Sequence, residues 1–123
     1  MTIERKFRGY YKSDENPIWV YGFYYEEKGE HFIKHGSVAY LVDKESVGQF
    51  TGLLDKLVKE IYSGDLISAP EGDSRIYKIK WNDSDFRWGA FIVGGSGERV
   101  FSDMKNGEVI GNIYSNPDLI KIT

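Results

Sequence analysis

The sequence predicts a mainly β protein of short antiparallel strands joined by tight turns, and three observations carry that expectation. Aromatic residues make up 15% of the chain and include nine tyrosines, a residue that suits a pleated, half-buried surface. The 14 glycines supply turn positions. Apolar residues repeat with a period of two in several segments, and clusters of Gly, Asn, Asp and Pro separate them at the spacing expected of a small barrel or sandwich.

The strand candidates follow in order. Ile18 to Glu26 alternates Trp19, Tyr21, Phe23 and Tyr25 with Val20, Gly22 and Tyr24. Asp14-Glu15-Asn16-Pro17 ahead of it is a turn cluster, with proline presetting its backbone angle. Glu27-Lys28-Gly29-Glu30 reads as a hairpin loop into His31–Lys34, His35-Gly36 as the next turn, and Val38 to Val42 as a further strand. The opening forty-odd residues therefore form an antiparallel meander.

Val47 to Ile61 reads two ways. Val47, Phe50, Leu54, Leu57, Val58 and Ile61 fall at helical spacing, and the pattern favours a short helix over Leu53–Glu60. Gly48, Thr51 and Gly52 oppose it, each glycine by roughly 1 kcal/mol. At most one or two short helices are expected in the whole chain.

Beyond Asp65 the pattern returns to strands. Ile76 to Trp81 sets Tyr77, Ile79 and Trp81 on one face and Lys78 and Lys80 on the other. Asn82-Asp83-Ser84-Asp85 is a turn, Phe86 to Val93 a strand, and Gly94-Gly95-Ser96-Gly97 a loop. Arg99 to Phe101 reads as a short strand, Asn106-Gly107 as a hairpin turn, and Val109 to Tyr114 as the closing strand.

Composition bounds the chemistry. A chain of 123 residues suits one domain. It contains no cysteine, which removes disulfides, thiolate metal sites and a cysteine nucleophile and fits a reducing compartment. No apolar run approaches the ~20 residues that span a bilayer, and Met1 to Arg8 lacks the apolar segment of a secretory signal. A soluble, cytoplasmic protein is expected. Sixteen basic residues face nineteen acidic ones, nine against ten up to Glu60 and seven against nine after it. Neither half offers the cationic footprint of a nonspecific duplex binder.

Three stretches, Arg5–Arg8 with Trp19–Phe23, Val47–Asp65 and Ile110–Leu119, together resemble the YopX family of phage and prophage proteins. Arg5-Lys6-Phe7-Arg8 and Trp19-Val20-Tyr21-Gly22-Phe23 resemble its opening basic-Phe-Arg motif and its WVYGY strand. Val47-Gly48-Gln49-Phe50-Thr51-Gly52-Leu53, Asp55-Lys56 and Lys59-Glu60-Ile61-Tyr62-Ser63-Gly64-Asp65 are similar to its central signature. Ile110-Gly111-Asn112-Ile113-Tyr114-Ser115-Asn116-Pro117-Asp118-Leu119 resembles its closing IGNIYENPEL segment. The resemblance runs in order from residue 5 to 120. It implies one YopX-like domain over 1–123: a β-meander over about 1–46, then an SH3-like barrel or roll over about 47–123, in a phage or prophage protein of a bacterial host. It implies no activity and no catalytic residues. Two positions depart from the pattern. Leu57-Val58 stand where the family has Asn-Gly, and Ser63 replaces a glutamate. Spacing is unchanged, so the resemblance implies the same backbone path, while apolar residues suit a turn with positive φ poorly; 53–60 is therefore open to a helical turn or an extended loop.

Few residues suggest a site. Gly64-Asp65 reads as a bend whose carboxylate accepts backbone hydrogen bonds. His31 and His35 lie about 13 Å apart on a strand, with no cysteine or third histidine to complete a metal centre. Gly94-Gly95-Ser96-Gly97-Glu98-Arg99 lacks the lysine and the Ser/Thr that follows it in a phosphate-binding loop, and a strand rather than a helix comes next. No catalytic residue, metal or cofactor is expected. The one candidate binding constellation is Tyr77, Lys78, Lys80 and Trp81 with Arg87 and Trp88 on the neighbouring strand, because interleaved basic and aromatic side chains hold single-stranded nucleic acid. Alternation favours a plainer arrangement, with Tyr77, Ile79 and Trp81 on the core and the lysines in solvent. Trp19, Tyr21, Phe23 and Tyr25 are likewise expected on the core; turned outward, they would form an apolar interface patch. The reading that results is a non-enzymatic accessory protein that binds protein or itself, with weak single-strand nucleic-acid binding as the alternative.

Overall fold

A computed structural model of the chain describes residues 6–120. They form antiparallel β-sheet with three short 3₁₀ turns at Lys44–Ser46, Phe101–Asn106 and Pro117–Ile120. Two compact units divide between Phe50 and Thr51. Arg5, at the head of the opening motif, lies outside the described residues.

In the first unit, β1 (Phe7–Tyr11), β2 (Ile18–Glu27), β3 (Glu30–His35), β4 (Val38–Val42) and the start of β5 (Gly48–Leu54) form a sheet ordered β4-β3-β2-β1-β5. Strand β1 was legible only as a family motif. It pairs fully with β2, from Phe7 opposite Gly22 to Tyr11 opposite Ile18. The β2–β3–β4 meander keeps the expected turns and registers, with Tyr24 opposite Ile33 and Ile33 opposite Tyr40. Residues opposite one another share a face, so these pairs define the inward side. Its core is Val20, Ile33 and Val42, with Phe7, Tyr11, Tyr24, Tyr40 and Val47 packed around them. The sheet curls until the Asp43 amide donates to the Tyr10 carbonyl at 3.2 Å. A Cβ on Gly9 would sit 2.8 Å from Val42 and 2.9 Å from Ile33. Ser46, buried beside this closure, accepts from the Tyr10 amide and donates to the Asp43 carbonyl.

The curl reverses one expectation. Trp19, Tyr21, Phe23 and Tyr25 share a face, but it is the outward one, and Phe23 is 64% exposed. At the closure the inner side takes Gly9, Val20 and Gly22, and the inward side of β2 is thus set by this alternate register, which leaves Trp19, Tyr21, Phe23 and Tyr25 outside.

In the second unit, the end of β5 pairs with β6 (Glu60–Tyr62). A five-stranded sheet follows, ordered β10-β9-β8-β7-β11, from β7 (Asp65–Ser68), β8 (Ile76–Asn82), β9 (Arg87–Ile92), β10 (Glu98–Arg99) and β11 (Glu108–Asn112). Ile61, Ile67, Tyr77, Ile79, Ala90 and Met104 form its core. The sheets are not closed into a barrel: β10 and β11 are the two edges of the five-stranded sheet.

Three local expectations fail here for identifiable reasons. Leu53–Glu60 is a hairpin rather than a helix, and Val58 takes φ 65°. Strand pairing on both sides and a carboxylate in the turn override helical propensity. Asn106-Gly107 is the end of a 3₁₀ turn rather than a hairpin, because β11 pairs with β7. Gly107 is extended, and a Cβ there would come within 2.7 Å of Ile67 and the Ser68 carbonyl. The strand expected over Arg99–Phe101 covers only Glu98–Arg99, since Phe101 opens the 3₁₀ turn.

Candidate functional site

The central and closing family-like segments are structural clamps. Buried Asp55 holds its own turn through Oδ1, which accepts from the Leu57 amide at 2.8 Å and the Lys59 amide at 2.9 Å. Its Oδ2 accepts from the Val109 amide at 2.9 Å, tying the turn to β11. Burial pushes this carboxyl up, but the three amide donors and the Lys59 charge outweigh it, and its pKa lies below the ordinary value. In the Tyr62–Asp65 bend, Gly64 has φ 91° and Asp65 Oδ2 accepts from the Tyr62 amide at 2.7 Å. At the end of the chain, Asn112 Oδ1 accepts from the Tyr114 and Ser115 amides, while Asn116 Oδ1 accepts from the Asn112 amide. Gly111 keeps the space for that second carboxamide, since a Cβ there would meet it at 2.5 Å.

The six candidate binding residues do not share one surface. Tyr77 is a core side chain, 1% exposed, whose hydroxyl donates to Asp73 at 2.8 Å. Burial, then that hydrogen bond, raises its pKa. Lys78 and Lys80 lie on the opposite face of β8, where Lys80 Nζ sits 5.0 Å from the Phe91 ring centroid. Trp81 lies opposite Trp88, and their rings meet edge-on at 5.3 Å. Trp81 shares the face of Tyr77 and Ile79 as expected, but at the hairpin's end the core runs out and it is 43% exposed. The two lysines and the two indoles are therefore not interleaved.

Trp81, Arg87 and Trp88 do come together in a groove of about 660 Å³ with Phe86, Val100 and Phe101. Phe86 is 80% exposed and has φ 52°, an uncommon conformation for a bulky residue. The groove's charges are internally matched. Arg87 bonds Glu98 at 2.7 Å and Asp85 at 3.1 Å, and Arg99 bonds Asp73 at 2.8 Å and Asp103 at 3.0 Å. Hydrogen bonds from the Arg75 side chain and amide and from Tyr77 hold Asp73 well below the ordinary carboxylate range.

The surface that residue patterning assigned to the wrong side is the outward face of β2–β4. Tyr21, Phe23 and Leu41 are exposed there, and Trp19, Tyr25 and Phe32 are half-buried. Phe23 and Tyr25 stack at 6.2 Å, Tyr25 and Phe32 at 5.2 Å, and Trp19 meets Tyr10 edge-on at 5.3 Å. Arg8 lies over Trp19, 4.9 Å from the ring centroid. Its signal was an alternation in which both faces of β2 are apolar.

The two histidines of β3 take separate partners: His31 Nδ1 is 2.7 Å from the Tyr24 hydroxyl, and His35 Nδ1 is 2.9 Å from the Tyr21 carbonyl. Among the described residues, no group of three or more His, Cys, Asp or Glu is arranged to hold a metal ion. None of their helices is long and apolar enough to cross a membrane.

No curated protein matches the chain. The family model described as YopX protein matches residues 6–121, a span that includes the Asp55 turn, the Gly64-Asp65 bend and the Asn112/Asn116 clamp, and the chain belongs to the YopX family.

Proposed function

We propose that the protein is a non-enzymatic accessory protein of phage or prophage origin, cytoplasmic in a bacterial host, that acts by binding protein. The outward aromatic face of β2–β4 is its contact surface, and self-association is the simplest form of that binding. The observation that supports this reading is the contiguous run of Trp19, Tyr21, Phe23, Tyr25, Phe32 and Leu41 on one side of a sheet. Contiguous apolar patches beyond a few hundred Å² are uncommon on monomers, and aromatic residues are enriched at interfaces. A second copy presents the same patch, as a twofold contact requires.

Charge supports protein over nucleic acid as the ligand. Lys34 is the cation set among these rings, opposite Phe23, and Arg8 is buried over Trp19. Phosphate binding draws its strength from several cations displacing counterions together. The carboxylates with displaced pKa values, Asp55 and Asp73, are both shifted downward by turn amides or arginine. A general acid held protonated is shifted the other way.

Sedimentation velocity over a range of concentrations, with an oligothymidylate titration at low salt, tests the reading. The expected result is a concentration-dependent oligomer with no oligonucleotide affinity. Salt-sensitive oligonucleotide binding by a monomer would replace it with the nucleic-acid alternative.

A further inference from the structure

We infer that the aromatic sheet face takes a second copy of this chain in one arrangement. It is a twofold contact, face to face with strands antiparallel, that crosses at Phe32 and pairs Glu30 of each copy with Lys34 of the other. The inference rests on the reading of that face as the contact surface and adds its occupant and its geometry. In β3, Glu30, Phe32 and Lys34 are alternate residues, so they project from one face of the sheet. Register puts them on the outward side, Lys34 opposite Phe23, and Phe32 opposite Tyr25 and Leu41. Glu30 and Lys34 are exposed, and Phe32 is half-buried and stacked on Tyr25. Each charge lies two residues from Phe32, about 7 Å along the strand.

Charge complementarity selects the occupant and its orientation. Along the strands the surface has a carboxylate end, an apolar centre and a cationic end: Glu27 opposite Glu30, then Tyr25, Phe32 and Leu41, then Lys34 beside Phe23. Because the opposite charges are equally spaced about Phe32, the pattern is complementary to itself, and a second copy supplies the match by symmetry. A twofold axis in the plane of contact, at right angles to β3 and through Phe32, exchanges the two ends. It sets each Lys34 over the other copy's Glu30 and stacks the apolar centres. Packed sheets lie about 10 Å apart, a gap that a glutamate and a lysine bridge together. An axis parallel to the strands would instead set Glu30 on Glu30 and Lys34 on Lys34, a like-charge juxtaposition that disfavours association. Within one copy Glu27 and Glu30 are directly opposite, and like charges so placed destabilise a sheet; the second copy's Lys34 offsets that repulsion. Neither Glu30 nor Lys34 has an ion-pair partner among the described residues. An aromatic centre with a polar rim is the usual anatomy of an interface.

Light scattering on charge-reversed variants of the full chain tests the arrangement. Glu30→Lys or Lys34→Glu alone is expected to weaken association by roughly tenfold or more, because each creates two like-charge contacts across the twofold. The double variant restores association. So does a one-to-one mixture of the two single variants, in which every lysine again faces a glutamate, and two misfolded variants could not rescue one another. Single variants that associate as the wild type does, or a mixture that stays dissociated, would overturn the arrangement. An oligomer indifferent to charge reversal but dissociated by Phe23→Glu keeps the sheet face as the contact surface and removes only this geometry. A monomeric wild type removes both.

Discussion

Asp55 shows how much one side chain of the family-like core decides. Its two oxygens accept from three backbone amides, one of them 54 residues away, so truncation strands buried donors. Asp55→Ala is expected to cost about 3 kcal/mol, since hydrogen bonds to a charged group are worth roughly 1.5–3 kcal/mol each and partial rehydration returns some of that. Urea midpoints measure it, and a loss below about 0.5 kcal/mol, the size of an ordinary surface change, would show that the clamp is dispensable. The pH dependence has a definite sign. The folded carboxyl is held below its ordinary value, so the unfolded chain takes up the proton first. Stability from Asp55 is full above about pH 4 and drains as pH falls through the folded value. The gap between wild type and Asp55→Ala therefore narrows in acid. Val58 is the opposite case. A β-branched residue at φ 65°, 73% exposed, pays strain of about 1–2 kcal/mol and returns little burial. Val58→Asn is expected to raise stability by about 1 kcal/mol, read from the same urea curves, with an unchanged midpoint counting against the strain. That turn was hard to read because Leu57-Val58 carry no turn signal; the signal lies in Asp55, whose carboxylate takes the place of turn propensity.

At the scale of elements, period-two alternation located most strands. Val38–Val42 appears as read, and Ile18–Glu27 and Ile76–Asn82 each extend one residue further. Alternation says which side chains share a face, but not which face is inside. In β2 both sets are apolar, and the choice falls to Gly9, whose lack of a Cβ lets Val42 and Ile33 close over it. That neighbour lies on another strand, beyond the reach of a local pattern. Gly107 misled for a related reason. Beside Asn106 it looks like a hairpin signal, yet its φ is −98° and its role is close approach to Ile67 and Ser68. Gly107→Ala is expected to cost about 1–3 kcal/mol by overpacking, measured as a fall in thermal midpoint. No change in that midpoint would mean that β7 and β11 yield freely.

For the whole molecule, the central and closing family-like segments lie apart from the proposed contact surface in sequence, whereas Trp19–Phe23 of the opening one supplies part of it. Asp55, Asp65, Asn112 and Asn116 identify the family and hold turns in the second unit. The candidate contact surface is carried by the first unit, on a face that emerges only when the sheet's curl is known. The basic-aromatic strand Tyr77–Trp81 was legible as an alternation, and its division into a core face and a solvated face follows from it. What could not be read was the meeting of Trp81 and Trp88 with Phe86 and Phe101, which depends on the turn at Phe86 and the 3₁₀ turn at Phe101. Under the proposed function, the outward aromatic face of β2–β4 binds protein, in its simplest form a second copy. Light scattering on the wild type, Phe23→Glu and Leu57→Glu tests it most directly, because both substitutions replace a residue about equally exposed, 64% and 65%, and only one lies on that face. The expected result is an oligomer for the wild type and Leu57→Glu and a monomer for Phe23→Glu; a wild type that stays monomeric, or an oligomer indifferent to Phe23→Glu, would rule this surface out.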